Sequence, residues 1–212
     1  MSSPGEAGIA PASWAEALSR LEARLGRALE LDLPYSRPMP KLGREAAVAA
    51  VFGLPRDPSS GPSLLVTLRS EGMAQHQGQP AFPGGRRDPE DEDLVATALR
   101  ESEEEVGLPR SKLRAVGMLP VLNTFVTGYL ITPVVAVLRE SIEEVPLQLS
   151  GAEIARACWI PLEQLLDPAI YRAEPLAGGL FRTDAFYVDD LRIWGATGAM
   201  LRNLLDRLRA SG

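Results

Sequence analysis

Arg100-Glu101-Ser102-Glu103-Glu104-Glu105 gathers four carboxylates and a guanidinium into six residues. At about 100° per residue on an α-helix, with Glu101 set at 0°, Glu104 falls near about −60° and Glu105 near about +40°. Three carboxylates then share an arc of about 100°, while Glu103 points away. Val95, Leu99 and Val106 fall together at roughly 120° to 160°, on the edge expected to meet a core. Like charges at these spacings cost a bare helix roughly 0.2–0.5 kcal/mol per pair, so the cluster asks for a cation. Hard oxygen ligands suit Mg²⁺, with Mn²⁺ able to substitute. The simpler alternative is a solvated acidic face.

The loop before this helix reads Phe82-Pro83-Gly84-Gly85. Two glycines let the backbone pass close to a ligand, and a free carbonyl of Gly84 or Gly85 could complete a metal shell. Pro-Gly-Gly is also a common turn, so the intervals carry more than the glycines: Gly85, Glu92, Arg100-Glu101, Glu104-Glu105, Gly107-Leu108.

Those intervals resemble the box of the Nudix hydrolases, G-x5-E-x7-R-E-U-x-E-E-x-G-U, where U is bulky and aliphatic. From Glu92 onward the spacing fits. Gly85 lies one residue early, so the loop holds an extra residue, which loops tolerate. Ser102 takes the first aliphatic slot and is small enough to pack at a helix edge. The segment Leu65 to Ser70, then His76-Gln77-Gly78-Gln79 into Phe82-Pro83-Gly84-Gly85, is similar to the signature of the coenzyme A pyrophosphatase subfamily. Met73 and Ala74 stand where that signature has leucine and arginine, and Ala74 loses a positive charge. Thr127-Gly128-Tyr129, Thr132-Pro133-Val134-Val135 and Ile193-Trp194-Gly195-Ala196-Thr197 extend the likeness over about residues 45 to 205.

The resemblance implies an α/β fold, an α/β/α sandwich with a mixed β-sheet, and Mg²⁺-dependent hydrolysis of a pyrophosphate bond in a small nucleotide. Coenzyme A or an acyl-coenzyme A is the implied substrate, split to adenosine 3′,5′-bisphosphate and 4′-phosphopantetheine. Glu101, Glu104 and Glu105 would hold the metal, with Gly84 or Gly85. Arg100 would orient Glu92 or Glu101 by a charge-assisted bond. The base stays open between Glu104 or Glu101, acting through the metal, and Glu153, a late acid that could equally be an exposed loop residue. Arg69 is a candidate phosphate grip, because a guanidinium fork binds two oxygens at once; a surface ion pair is its alternative. His76 and Gln79 are candidate substrate contacts, and Tyr129 either stacks on a base or fills a strand face. An ADP-ribose or dinucleotide pyrophosphatase and a non-catalytic Nudix-fold binding module are the competing readings.

These residues need positioning. Ser13 with Glu16 reads as a capping box for a helix over 13–30. Residues 1–12, rich in Ser, Pro and Gly, read as a disordered lead-in, and the Pro-rich 34–40 as a non-helical connector. Residues 46–54 and 63–69 read as a hairpin. A helix is expected over 94–106, capped by Asp91 or Asp93, with acids in its first turn and Gly107 as its stop. Strands are expected at 113–119, 129–138 and 186–194, with Pro133 marking a bulge or an edge. A short helix over 162–166 and a closing helix over 199–209 complete one domain spanning 13–212.

The chain has 212 residues, a 45% hydrophobic fraction and a net charge of −6, which speaks against a nucleic-acid surface. A single cysteine, Cys158, allows no internal disulfide and is expected to be buried packing. No apolar run is long enough for a membrane helix and no secretory signal is apparent, so the expectation is cytoplasmic. A homodimer stays open as an assembly state.

Overall fold

The computed structural model describes residues 13–31, 43–70, 78–124, 128–176 and 181–211. The 1–12 lead-in, the 34–40 connector, His76, Met73, Ala74 and Thr127 lie outside them.

Helix α1 (Trp14–Glu30) starts where Ser13 Oγ accepts the Glu16 N–H. Strand β1 (Arg44–Leu54) follows, and β2 (Ser63–Arg69) pairs with it antiparallel through Phe52↔Leu64. Two short strands, β3 (Pro80–Ala81) and β4 (Gly84–Arg86), lead into α2 (Leu94–Val106). Next come β5 (Leu113–Met118), β6 (Leu122–Thr124), the long β7 (Tyr129–Ser141) and β8 (Ile154–Pro161). After α3 (Leu162–Leu166), β9 (Tyr171–Leu176), β10 (Phe181–Val188) and β11 (Leu191–Ile193) form a separate three-stranded sheet, and α4 (Gly195–Ala210) closes the chain.

The main sheet has the central order β3-β2-β1-β7-β5, with β4 on β1, β6 on β7 and β8 on β2. It is mixed: β1 and β7 run parallel and the other described pairs antiparallel. A strand covered on both faces reads as a nearly continuous apolar run, and Ala46 to Leu54 is one. Ala47, Ala49 and Val51 face α2 with Ala98, Val106 and Leu108. Ala50 and Phe52 face a second core built with α1, α4 and the three-stranded sheet. The fold is therefore α/β, a mixed sheet between helical layers. Buried Arg207 of α4 donates to Asn203 Oδ1 (2.7 Å) and to the carbonyls of Ala28 (3.5 Å), Leu29 (3.4 Å) and Leu31, so it satisfies the open end of α1.

Several expectations need correction. No acid occupies the first turn of α2; Asp93 precedes it as the cap, accepting the Ala96 N–H at 2.8 Å. Its buried stripe is Thr97, Ala98, Ser102, Glu105 and Val106, with Val95 and Leu99 only half-buried. Glu105 turns inward with that stripe, and its Oε2 accepts the Gly84 N–H. Pro133 lies in an interior strand, not at an edge. It falls where β5 gives way to β6, and its carbonyl accepts the Leu119 N–H at 2.9 Å, so a proline without a donor is tolerated at that break. Residues 186–194 are not one strand: Asp189, at φ 51°, turns β10 into β11. The closing helix begins at Gly195 rather than 199. Strands β8 and β9 escaped the pattern reading; β9 carries Pro175, which an edge strand accepts. Cys158 is half-buried in β8.

Candidate functional site

Two glycines and a helix end create the site. Gly107, in the left-handed region at φ 72°, stops α2 and returns its N–H to the Glu103 carbonyl. The next open carbonyls of α2 are taken by the following segment: Gln148 N–H donates to Val106 O and Ser150 N–H to Glu105 O, both at 2.9 Å. That anchors the Gly151–Glu153 turn beside the helix. On the other side, β4 pairs with β1 through Val48↔Gly84 and Ala47↔Gly85, which brings both glycines against α2. A Cβ at Gly85 would stand 2.5 Å from Glu101 Oε1, so the missing side chain is the space that carboxylate occupies.

Between these parts lies a cavity of about 410 Å³. Arg69, Gly84, Gly85 and Arg86 form one wall, Glu101, Glu104 and Glu105 another, and Ser150 with Glu153 the third. Glu105 is 2% exposed. Its Oε2 accepts the Gly84 N–H at 3.1 Å, while Oε1 has no hydrogen-bond partner and lies 4.0 Å from Arg69 Nη2. Burial pushes this carboxyl up to about 7, with Glu101 and Glu153 adding repulsion and Arg69 and the Gly84 N–H pulling the other way. Burial also raises Glu101, against the pull of Arg100.

Arg100 is the hub. Its Nε and Nη2 grip Asp91 Oδ1 and Oδ2, each at 3.0 Å, and Nη2 also donates to the Arg86 carbonyl at 3.0 Å. Its Nη1 donates to Glu101 Oε1 and Glu104 Oε2, both at 2.9 Å. The expected partner Glu92 is not in this network; its described bond is a backbone one, its carbonyl accepting from Arg87 at 3.1 Å. Asp91 stands in its place, held well below the usual carboxylate range by Arg100. A signal existed: with five residues between, the box interval from Gly85 falls on Asp91, and the extra loop residue then lies between Asp91 and the helix.

Other candidates fall differently. Gln79 closes the end of β2, its carbonyl accepting the Arg69 N–H at 3.3 Å. Tyr129 is outside the cavity wall; the guanidinium of Arg44 lies over its ring, 4.5 Å from the centroid, and that of Arg86 at 5.4 Å. Cavity residues that the pattern reading missed are Arg86 and Ser150, for which the sequence carries no local signal.

The donor set fits a hard divalent cation: one buried carboxylate oxygen is orphaned, and three further carboxylates line the same cavity. As they stand, no three of these groups surround a single point among the described residues, with Arg100 Nη1 holding Glu101 and Glu104.

The fold and site are those of an α/β protein whose mixed sheet lies between helices, with an Arg-Glu-x-x-Glu-Glu helix against a Gly-Gly strand and a carboxylate-lined cavity between them. The family model described as the NUDIX domain matches residues 46–179, most of the chain, and the chain belongs to the Nudix family. It is a Nudix hydrolase, acting on a pyrophosphate bond. A Nudix hydrolase of Photorhabdus laumondii called NudL is 35% identical over 182 residues, covering 85% of this chain and 94% of that protein. NudL of Yersinia pestis is 36% identical over 149 residues, covering 69% and 73%. An Ap4A hydrolase of Caenorhabditis elegans shares the fold at a TM-score of 0.50 and 19% identity, over 79% of this chain and 98% of its own. A MutT protein of Methanosarcina mazei matches at 0.50 and 19%, over 82% and 97%. No helix among the described residues is long and apolar enough to cross a membrane.

Proposed function

We propose that the chain hydrolyses the pyrophosphate bond of coenzyme A or its acyl thioesters, with Glu101, Glu104 and Glu105 holding Mg²⁺ and Glu153 serving as the base. The observation that carries the metal assignment is the orphaned Oε1 of buried Glu105, a carboxylate that burial disfavours and a cation would satisfy. A divalent cation bound there supplies charge neutralisation for two phosphoryl groups and acidifies water. The protein's own groups do the rest. Arg69 stabilises Glu105 and grips a phosphoryl oxygen, and Arg100 keeps Glu101 and Glu104 oriented from Asp91. Glu153 lines the cavity, and no ion pair of its own is found among the described residues, which suits a group that must accept a proton from the attacking water.

The coenzyme A reading draws on the segment from Leu65 through Arg69 to Gln79 and Gly85: its described ends meet at the cavity, with Arg69 beside Glu105 and Gly85 beside Glu101. Ala74, where the subfamily signature has arginine, favours ADP-ribose or a dinucleotide as the second reading. Product analysis with coenzyme A, ADP-ribose and NADH, with and without Mg²⁺, separates them. Adenosine 3′,5′-bisphosphate as the fastest-formed product supports the proposal; faster cleavage of ADP-ribose transfers it to the second reading. No cleavage of any of the three leaves a binding module.

The Gly85 cradle has its own test. Gly85→Ala is expected to push the Glu101 carboxyl aside and lower kcat about 10- to 100-fold, while the melting temperature stays within a few degrees of wild type. A large fall in melting temperature instead would mean that the glycine serves the β1–β4 pairing.

A further inference from the structure

Glu153 is an exposed residue in a turn that begins at Gly151, and it lines the same cavity as Glu101 and Glu105. Repulsion from two carboxylates favours swinging such a turn out to solvent. Ser70, the residue after Arg69, opposes that swing. Its backbone N–H donates to the Glu153 carbonyl at 2.8 Å, and its Oγ donates to the Ala152 carbonyl at 2.6 Å. Directly beneath, the β2–β8 ladder slips: Leu68 pairs with Arg156 but Arg69 with Ile154, so Ala155 is an extra residue on β8. A bulge of this kind bends its strand and re-aims the residues beside it. The turn is closed from within by Glu153 N–H to Ser150 O (2.9 Å) and Ile154 N–H to Ser150 O (2.7 Å).

We infer that Ser70 is a positioning residue for the hydrolysis, clasping the Gly151–Glu153 turn so that the Glu153 carboxylate stays over the cavity against the repulsion of Glu101 and Glu105. The inference rests on the reading of Glu153 as base. It also links the two ends of one segment, since Arg69 reaches Glu105 from one residue and Ser70 holds the opposing acid from the next.

The test is a double-mutant cycle on whichever pyrophosphate substrate the wild type cleaves fastest, in Mg²⁺. Ser70→Ala keeps the backbone bond and loses the hydroxyl one; it is expected to lower kcat about 5- to 10-fold with KM within about twofold. Ser70→Thr restores kcat to within about twofold. On a Glu153→Gln background, Ser70→Ala adds less than about a twofold loss, because a clasp has no effect once the group it positions is gone. An equal loss on both backgrounds, a loss carried by KM, or no loss with Glu153→Gln impaired overturns the role of Ser70 alone. Full kcat in Glu153→Gln overturns the base assignment and the clasp with it.

Discussion

Glu105→Gln is expected to abolish turnover and, at the same time, to make the metal-free protein more stable. Burial lifts this carboxyl from the ordinary 4.5 to about 7. Because the folded value is raised, the stability carried by the neutral form is fully present below pH 4.5. It is lost as the pH rises through about 7, since the unfolded chain ionises first. A shift of this size corresponds to about 3 kcal/mol at pH 8, which glutamine would not incur. Its amide oxygen can still accept the Gly84 N–H that Glu105 Oε2 accepts now. For a chain of this length the melting temperature should rise by roughly 5–10 °C at pH 8, with no difference from wild type below pH 4.5. Millimolar Mg²⁺ should raise the wild type's melting temperature and leave the variant's unchanged, because only the carboxylate gains by binding a cation. Turnover should fall by a factor on the order of a thousand, the scale of charge stabilisation that a metal supplies. Melting curves from pH 4.5 to 8 with and without Mg²⁺, run beside an activity assay, decide this. A variant less stable than wild type at pH 8, or one that still turns over, would show that Glu105 is a structural acid.

The second large effect belongs to Arg100. One guanidinium makes five hydrogen bonds, two of them to Asp91, which is 8% exposed. Arg100→Ala would leave that carboxylate buried without its partner and release Glu101 and Glu104 to repel one another. Breaking a buried pair from one side costs about 3–5 kcal/mol, so unfolding in urea at pH 7 should move to markedly lower concentration. Arg100→Lys should recover only part, since an ammonium cannot engage both Asp91 oxygens and two further carboxylates. The acid limb gives an independent check. Asp91 is held far below its ordinary 3.8, so the pair contributes stability above that value and loses it as the pH falls further. Wild type should therefore lose stability steeply below pH 4, and Arg100→Ala should lose less over the same range. Parallel acid limbs in the two proteins would move the role of Arg100 from folding to chemistry.

Much of this protein is legible locally. The start of α2 follows from a cap within three residues of the N–H it serves, its end from a glycine that alone enters the left-handed region cheaply, and its acids from their spacing. The β1–β2 hairpin and α3 follow in the same way, because turn residues and apolar runs act over a few positions. Tertiary structure decided what those elements face. Which acid Arg100 grips depended on the path of a seven-residue loop, and Asp91, not Glu92, lay within reach. Glu105 reads as one of three equivalent ligands on a helical wheel, yet it is buried against the Gly84 N–H of β4, and that burial raises its titration. The meeting of Arg69, Ser70 and Glu153 rests on the register of β2 against β8, joining residues more than eighty apart in the chain. Spacing fixes direction only within one element. Distance between elements is set by packing and strand pairing, and in this chain those decide which carboxylates share a cavity.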